Sequence, residues 1–136
     1  MSKTSLAERL LLFIALAHVI AGLALTLLPL TPDLQQTLAS AIFSAGKTSD
    51  TVMFLISVFG PTVASWGVLF FALIRAYFRH PTRDSWRALV LSILIWAPLD
   101  SALSIHYGLH AAAVLNAGVA VIVLGLLFGV RGIGER

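Results

Sequence analysis

Four apolar segments, each about as long as a membrane-crossing helix, alternate with short polar segments along this chain. A spanning helix needs roughly 20 apolar residues, because the hydrocarbon core of a bilayer is ~30 Å thick. The pattern predicts four spans, at about 6–28, 52–78, 85–107 and 109–130. Because short connections favour antiparallel neighbours, we expect an all-α, antiparallel four-helix transmembrane bundle that forms one domain over residues 1–136.

Proline and glycine mark the ends of the predicted spans. Pro29 ends span 1, because proline cannot continue a helix. Residues 31–33 read Thr-Pro-Asp, a typical helix start, and apolar residues then recur at helical spacing up to Gly46. We expect a short amphipathic helix on the outer membrane surface there, with a structureless loop as the alternative. Gly108 supplies a tight turn between spans 3 and 4, and Pro61 is expected to kink span 2.

Composition makes lipid the solvent for most of this chain. Of its 136 residues 59% are hydrophobic and 11% charged, and the mean hydropathy is +0.97. Soluble domains carry roughly 25% charged residues. The chain contains no cysteine, which excludes disulfides, thiolate metal sites and thiol redox chemistry.

The positions of the basic residues predict an orientation. Eight of nine lie in the N-terminal segment, the connection between spans 2 and 3, and the C-terminal segment, and the ninth is Lys47. An even number of spans places these three segments on one side, which the positive-inside rule makes cytoplasmic. We therefore expect a multi-pass protein with both termini in the cytoplasm, in contact with lipid and not with nucleic acid.

Four arginines recur every four residues around the connection between spans 2 and 3. They are Arg75, Arg79, Arg83 and Arg87. One interpretation is a clamp for anionic lipid. We favour the other, a topology determinant whose apolar stems extend along the membrane boundary.

Asp100 is the one acidic residue well inside a predicted span, away from its ends. A carboxylate costs several kcal/mol in the hydrocarbon core, so it faces the bundle interior, finds partners or takes a proton. Trp96, Asp100 and Ser104 are spaced by four and share a face of span 3, which Tyr107 continues. Asp100 lies ~10 Å below Tyr107, in the outer half of the membrane.

The other spans contribute polar residues at middle-to-outer depths. Asn116 lies ~10 Å into span 4, which makes an Asp100–Asn116 pair between neighbouring helices an expectation. Span 1 contributes His18, ~16 Å deep, and span 2 contributes Ser65 beside Trp66. The candidate ligand-binding or proton-relay site is thus Asp100, His18, Asn116, Trp96, Ser104, Ser65, Trp66 and Tyr107.

The alternative to a binding or relay site is a structural role, in which these groups form ordinary hydrogen bonds between helices. We favour that alternative for the serines and for Asn116, leave His18 open, and favour function for Asp100. His106 and His110 are four apart, but Gly108 breaks the helical spacing that a metal would need. We therefore predict no metal site, and we predict no cofactor. No known catalytic motif is present, so we predict no catalytic residue and consider an enzyme the less favoured class.

Small residues in span 4 permit close helix approach. Gly125 and Gly129 form a GxxxG pair, and Ala113 and Ala117 repeat its spacing. Such a pair serves contacts inside a bundle as readily as a homodimer.

The opening residues 9–18, Arg-Leu-Leu-Leu-Phe-Ile-Ala-Leu-Ala-His, the outer amphipathic segment and the three later spans resemble small four-helix bacterial membrane proteins of the DoxX-like kind. The stretch from Trp96 to Ser101, with Asn116, also resembles uncharacterised four-span families. The resemblance implies a bacterial cytoplasmic (inner) membrane and a link to respiratory or redox membrane complexes. It implies the architecture and no catalytic residue.

Two functions follow as hypotheses. The first is a small integral membrane protein with a polar intramembrane site around Asp100, which binds a small or lipophilic ligand or relays protons. The second is a non-catalytic subunit or assembly factor of a larger membrane complex, in contact with a membrane-protein partner or with further copies of itself.

Overall fold

The computed structural model describes residues 5–27 and 50–131, and within these ranges the chain is helical apart from short turns. The helices are α1 (Leu6–Leu27), α2 (Asp50–Arg79), α3 (Arg83–His106) and α4 (His110–Gly129). Each contains a stretch long and apolar enough to cross a membrane, which in α2 is Ser57–Arg79. The prediction of four spanning helices is confirmed, with bounds that differ by a few residues. The predicted amphipathic helix lies outside the described residues.

The helix ends follow from local chemistry. Thr82 caps the start of α3, because its hydroxyl accepts a 3.1 Å hydrogen bond from the backbone N–H of Ser85. Gly108 has φ +75°, a conformation that favours glycine, and it forms the predicted turn between α3 and α4. Helix α2 continues through Pro61, and the expected kink there stays a prediction.

Buried positions recur at alternating spacings of three and four along each helix. In α4 and its C-cap the buried residues are Ala113, Ala120, Val123, Leu127 and Val130. In α3 they are Leu89, Val90, Ile93, Ala97 and Ser104. A repeat of seven over two turns is the pattern of left-handed helix packing. We call these rows the buried stripes.

The described residues divide into two compact units, and one of them is Ile14–Leu69. Here α1 and α2 pack backbone to backbone at three glycines, Gly22, Gly60 and Gly67. A Cβ atom on Gly67 would lie 2.8 Å from the backbone nitrogen of Val19, closer than real Cβ atoms approach. Gly22 meets Ala64 in the same way. Gly22 of α1 lies beside Ala64 of α2, whereas Val19, which comes earlier in α1, lies beside Gly67, which comes later in α2. These two helices therefore run antiparallel.

The other unit combines the described residues of Met1–Phe13 and Phe70–Arg136. Helices α3 and α4 pack together as an antiparallel hairpin around the turn at Gly108.

In this second unit the start of α1, the end of α2, the start of α3 and the end of α4 meet. The joining contacts are the Arg75–Glu8 ion pair (3.9 Å), the Tyr77 hydroxyl donating to the Val130 carbonyl (2.8 Å), and the Trp86 indole N–H donating to the Leu127 carbonyl (2.9 Å). The two carbonyls belong to the last turn and cap of α4, where a helix lacks internal donors. We call this region the basic end.

Candidate functional site

The α3–α4 hairpin brings Asp100 and Asn116 into direct contact. Asp100 lies eight residues before Gly108 and Asn116 eight residues after it, so antiparallel helices place them at one level. The side-chain amide of Asn116 donates a hydrogen bond to Oδ2 of Asp100. The predicted pair is therefore present, and both side chains are half-buried.

Both members of the pair occupy positions in the buried stripes. Asp100 falls between Ala97 and Ser104, at spacings of three and four, and Asn116 falls between Ala113 and Ala120 in the same way. The alanines leave room for a close approach of the two helices beside the pair. This seven-residue repeat is present in the sequence, and the predicted face with a spacing of four did not include it.

The carboxylate of Asp100 has acceptor capacity that Asn116 does not fill. An ionised carboxylate has about four acceptor sites on two oxygens. Among the described residues, Asn116 provides the one hydrogen bond to this group, and no cation pairs with it. In a membrane-spanning segment, an acceptor left without a donor costs free energy. The site can therefore accept a proton, or an N–H or O–H group of a ligand.

Three further predicted residues lie on the same helix or at its end. Ser104, one turn after Asp100, is buried at 8% exposure. Trp96, one turn before it, is half-buried and engaged in interactions of its own. Tyr107 is 73% exposed, at the C-terminal end of α3. Trp96, Asp100 and Ser104 are thus the buried or half-buried members of this group.

The remaining predicted residues belong to the unit Ile14–Leu69. The rings of His18 and Trp66 meet edge to face, with centroids 4.8 Å apart. Nδ1 of His18 donates to the Ile14 carbonyl at 2.8 Å, because a carbonyl can only accept. Ser65, next to Trp66, is exposed. A single site that joins His18 with Asp100 stays a prediction.

The described residues contain no group of three or more His, Asp or Glu side chains placed to hold a metal ion. His106 and His110 are both exposed, and the His106 ring contacts Tyr107 at a centroid distance of 4.9 Å. The turn at Gly108 separates the two histidines, as the sequence indicated.

The GxxxG pair of α4 makes no close contact with the described chain. A Cβ atom on Gly125 or Gly129 would meet no atom of the described residues within 4 Å, and Gly118 is equally open. The glycines that set close packing are Gly22, Gly60 and Gly67 of α1 and α2, which the sequence argument did not single out for that role.

Comparisons with known proteins give no family assignment: no family model, no curated protein and no solved structure matches the chain at a significant level. The case for a function therefore rests on the residues and contacts described above.

Proposed function

We propose that this protein is a small integral membrane protein with a polar site around Asp100, which binds a small, polar-headed or lipophilic ligand or relays protons. The observation that carries the proposal is the half-buried carboxylate of Asp100, within a spanning helix, with one hydrogen-bond donor among the described residues. An acid that served packing alone is expected to have its acceptor sites filled by protein.

Each residue has a part in the proposed site. Asn116 orients the carboxylate of Asp100 and leaves its remaining acceptor sites to the ligand or proton. Ser104 and Trp96 provide a hydroxyl and an aromatic surface along the same helix. The relay form of the proposal keeps His18 as a proton-transfer residue predicted from the sequence.

The proposed setting is an antiparallel four-helix bundle in a bacterial cytoplasmic membrane, with both termini in the cytoplasm. The meeting of four helix ends at the basic end supports the common side of the termini. The excess of arginine there supports the cytoplasmic side. Kinship with the DoxX-like proteins remains a proposal that rests on the opening residues 9–18.

The test compares the wild type with Asp100→Asn by native mass spectrometry after gentle extraction, and by proton flux in proteoliposomes with a pH-sensitive dye. Asp84→Asn is the matched control, because it removes an exposed acid from the same helix. We expect a co-purifying small molecule, or a proton flux, that Asp100→Asn abolishes and Asp84→Asn keeps. A wild type without either property, or an Asp100→Asn variant that keeps it, would overturn the proposal.

A second candidate function is a non-catalytic subunit or assembly factor of a membrane complex. The face of α4 with Gly118, Gly125 and Gly129 favours it, because these glycines are exposed and a Cβ atom on each would meet open space beside the described chain. Glycines on a spanning helix allow another helix to approach closely. On this alternative, Asp100 and Asn116 hold the hairpin together and bind nothing further.

A further inference from the structure

Trp86 is fixed at the basic end by contacts on several sides. Its indole N–H donates to the Leu127 carbonyl at 2.9 Å, which ties the start of α3 to the end of α4. Its ring meets Phe128 edge to face, with centroids 5.3 Å apart. The guanidinium carbon of Arg131 lies 5.0 Å from the centroid of the Trp86 ring. The indole thus holds an arginine in place at the end of the last span.

The charge of Arg131 is held by an aromatic ring and not by an acid. Arg75 pairs with Glu8 at 3.9 Å and Arg87 with Asp84 at 3.6 Å, whereas no carboxylate pairs with Arg131 among the described residues. A guanidinium that stacks on a ring through its face keeps its N–H donors at the edge. Arg131 is exposed, so these donors are accessible to a group outside the chain.

A second arginine, Arg83, lies on the same helix as Trp86. It lies three residues before Trp86 on α3, and residues at that spacing are neighbours on a helix surface. Arg83 is exposed, although it also interacts within the chain. The described part of this end of the molecule contains six arginines and two acidic residues. Its net positive charge therefore favours the binding of an anion.

We propose that Arg131, stacked on Trp86, and Arg83 form a binding site for the phosphate of an anionic phospholipid. The planar guanidinium fork matches a phosphate with two parallel hydrogen bonds, which an ammonium group cannot do. The site lies where the spans end, at the depth of the headgroups, and tryptophan is typical of that boundary. Such a site differs from a general attraction of positive charge to the cytoplasmic leaflet, because particular side chains bind one phosphate group. It does not depend on the proposed role of Asp100.

The test measures phospholipid binding to the full chain by native mass spectrometry, with phosphatidylglycerol and phosphatidylcholine titrated in parallel. We expect the wild type to prefer phosphatidylglycerol. Arg131→Lys keeps the net charge and removes the planar fork, and we expect it to lower that preference roughly two- to tenfold, the size of one net hydrogen bond. Trp86→Phe should act in the same direction, because the ring loses its anchor to Leu127.

Arg9→Lys is the matched control, since Arg9 is exposed on α1 and is not among the hydrogen-bond and ring partners of Trp86 in the described chain. It should bind both lipids as the wild type does. If Arg131→Lys keeps the wild-type preference, the basic end attracts lipid by charge alone and the proposal is wrong. Displacement of the lipid by soluble glycerol phosphate at equal concentration, or its replacement by an acidic protein that co-purifies, would also overturn the proposal of a lipid site.

Discussion

At the scale of single residues, Asp100 and Asn116 show which contacts the sequence predicts and which it does not. Their pairing was predictable, because both lie eight residues from Gly108 on antiparallel helices. The partly filled acceptor sites of Asp100 were not, since they depend on side-chain rotamers and on the rotation of each helix. The edge-to-face contact of His18 with Trp66 was unpredictable for the same reason.

Replacement of Asn116 by leucine should destabilise the hairpin. The variant leaves Asp100 without its donor among the described residues, and we expect a loss of about 1 kcal/mol or more in the free energy of unfolding. Reversible unfolding in detergent measures this loss.

Ser92→Ala is the control for that measurement, because the hydroxyl of Ser92 donates within its own helix, to the Leu89 carbonyl at 2.8 Å. It should leave stability nearly unchanged. Equal stability of Asn116→Leu and Ser92→Ala would show that the pair contributes nothing to folding.

At the scale of elements, helix bounds were readable from hydropathy, whereas the packing faces were only partly readable. The GxxxG pattern of α4 suggested a contact, but Gly125 and Gly129 lie off the buried stripe that runs from Ala113 to Val130. The seven-residue repeat of the stripe places both glycines outside it. The close approach of α1 and α2 had a weaker signal, because Gly60 and Ala64 repeat the small-residue spacing without a second glycine.

Paired glycine variants test this assignment. Gly22→Val should destabilise the protein by about 1–3 kcal/mol or more, because the new side chain meets the backbone of α2. Gly125→Val should change the free energy of unfolding by less than about 0.5 kcal/mol, as is usual away from packed contacts. Chemical denaturation in one detergent compares the two.

The same Gly125 variant separates the two candidate functions. Co-purification of a partner protein that Gly125→Val abolishes, while the fold and any ligand at Asp100 persist, would favour the subunit. A Gly125→Val variant that unfolds would show instead that α4 packs through this glycine.

At the scale of the whole molecule, the positions of the arginines and the contacts between helix ends are two independent observations on the basic end. The sequence predicted one basic side from charge positions alone. The structure adds physical contacts there, through Glu8, Tyr77 and Trp86, that join the four helix ends. The absolute orientation follows from charge and not from any contact, and it therefore remains a prediction.

Single cysteines test the orientation, since the chain contains none of its own. His80→Cys lies in the turn before α3 and His110→Cys at the start of α4, and both histidines are exposed. A membrane-impermeant maleimide added to intact cells should label His110→Cys at once and His80→Cys only after permeabilisation. The reverse order would invert the orientation, and labelling of both from outside would contradict the four spans.

The central claim is that the position of the Asp100 carboxylate matters beyond helix pairing, and a swapped variant tests it most directly. Asp100→Asn combined with Asn116→Asp keeps one acid and one amide at the same level but moves the acid from α3 to α4. Unfolding in detergent, native mass spectrometry and proton flux are measured on this variant beside the wild type. The account predicts wild-type stability together with loss of the co-purifying molecule or of the flux. Full retention of that property in the swapped protein would contradict it and reduce the pair to helix packing.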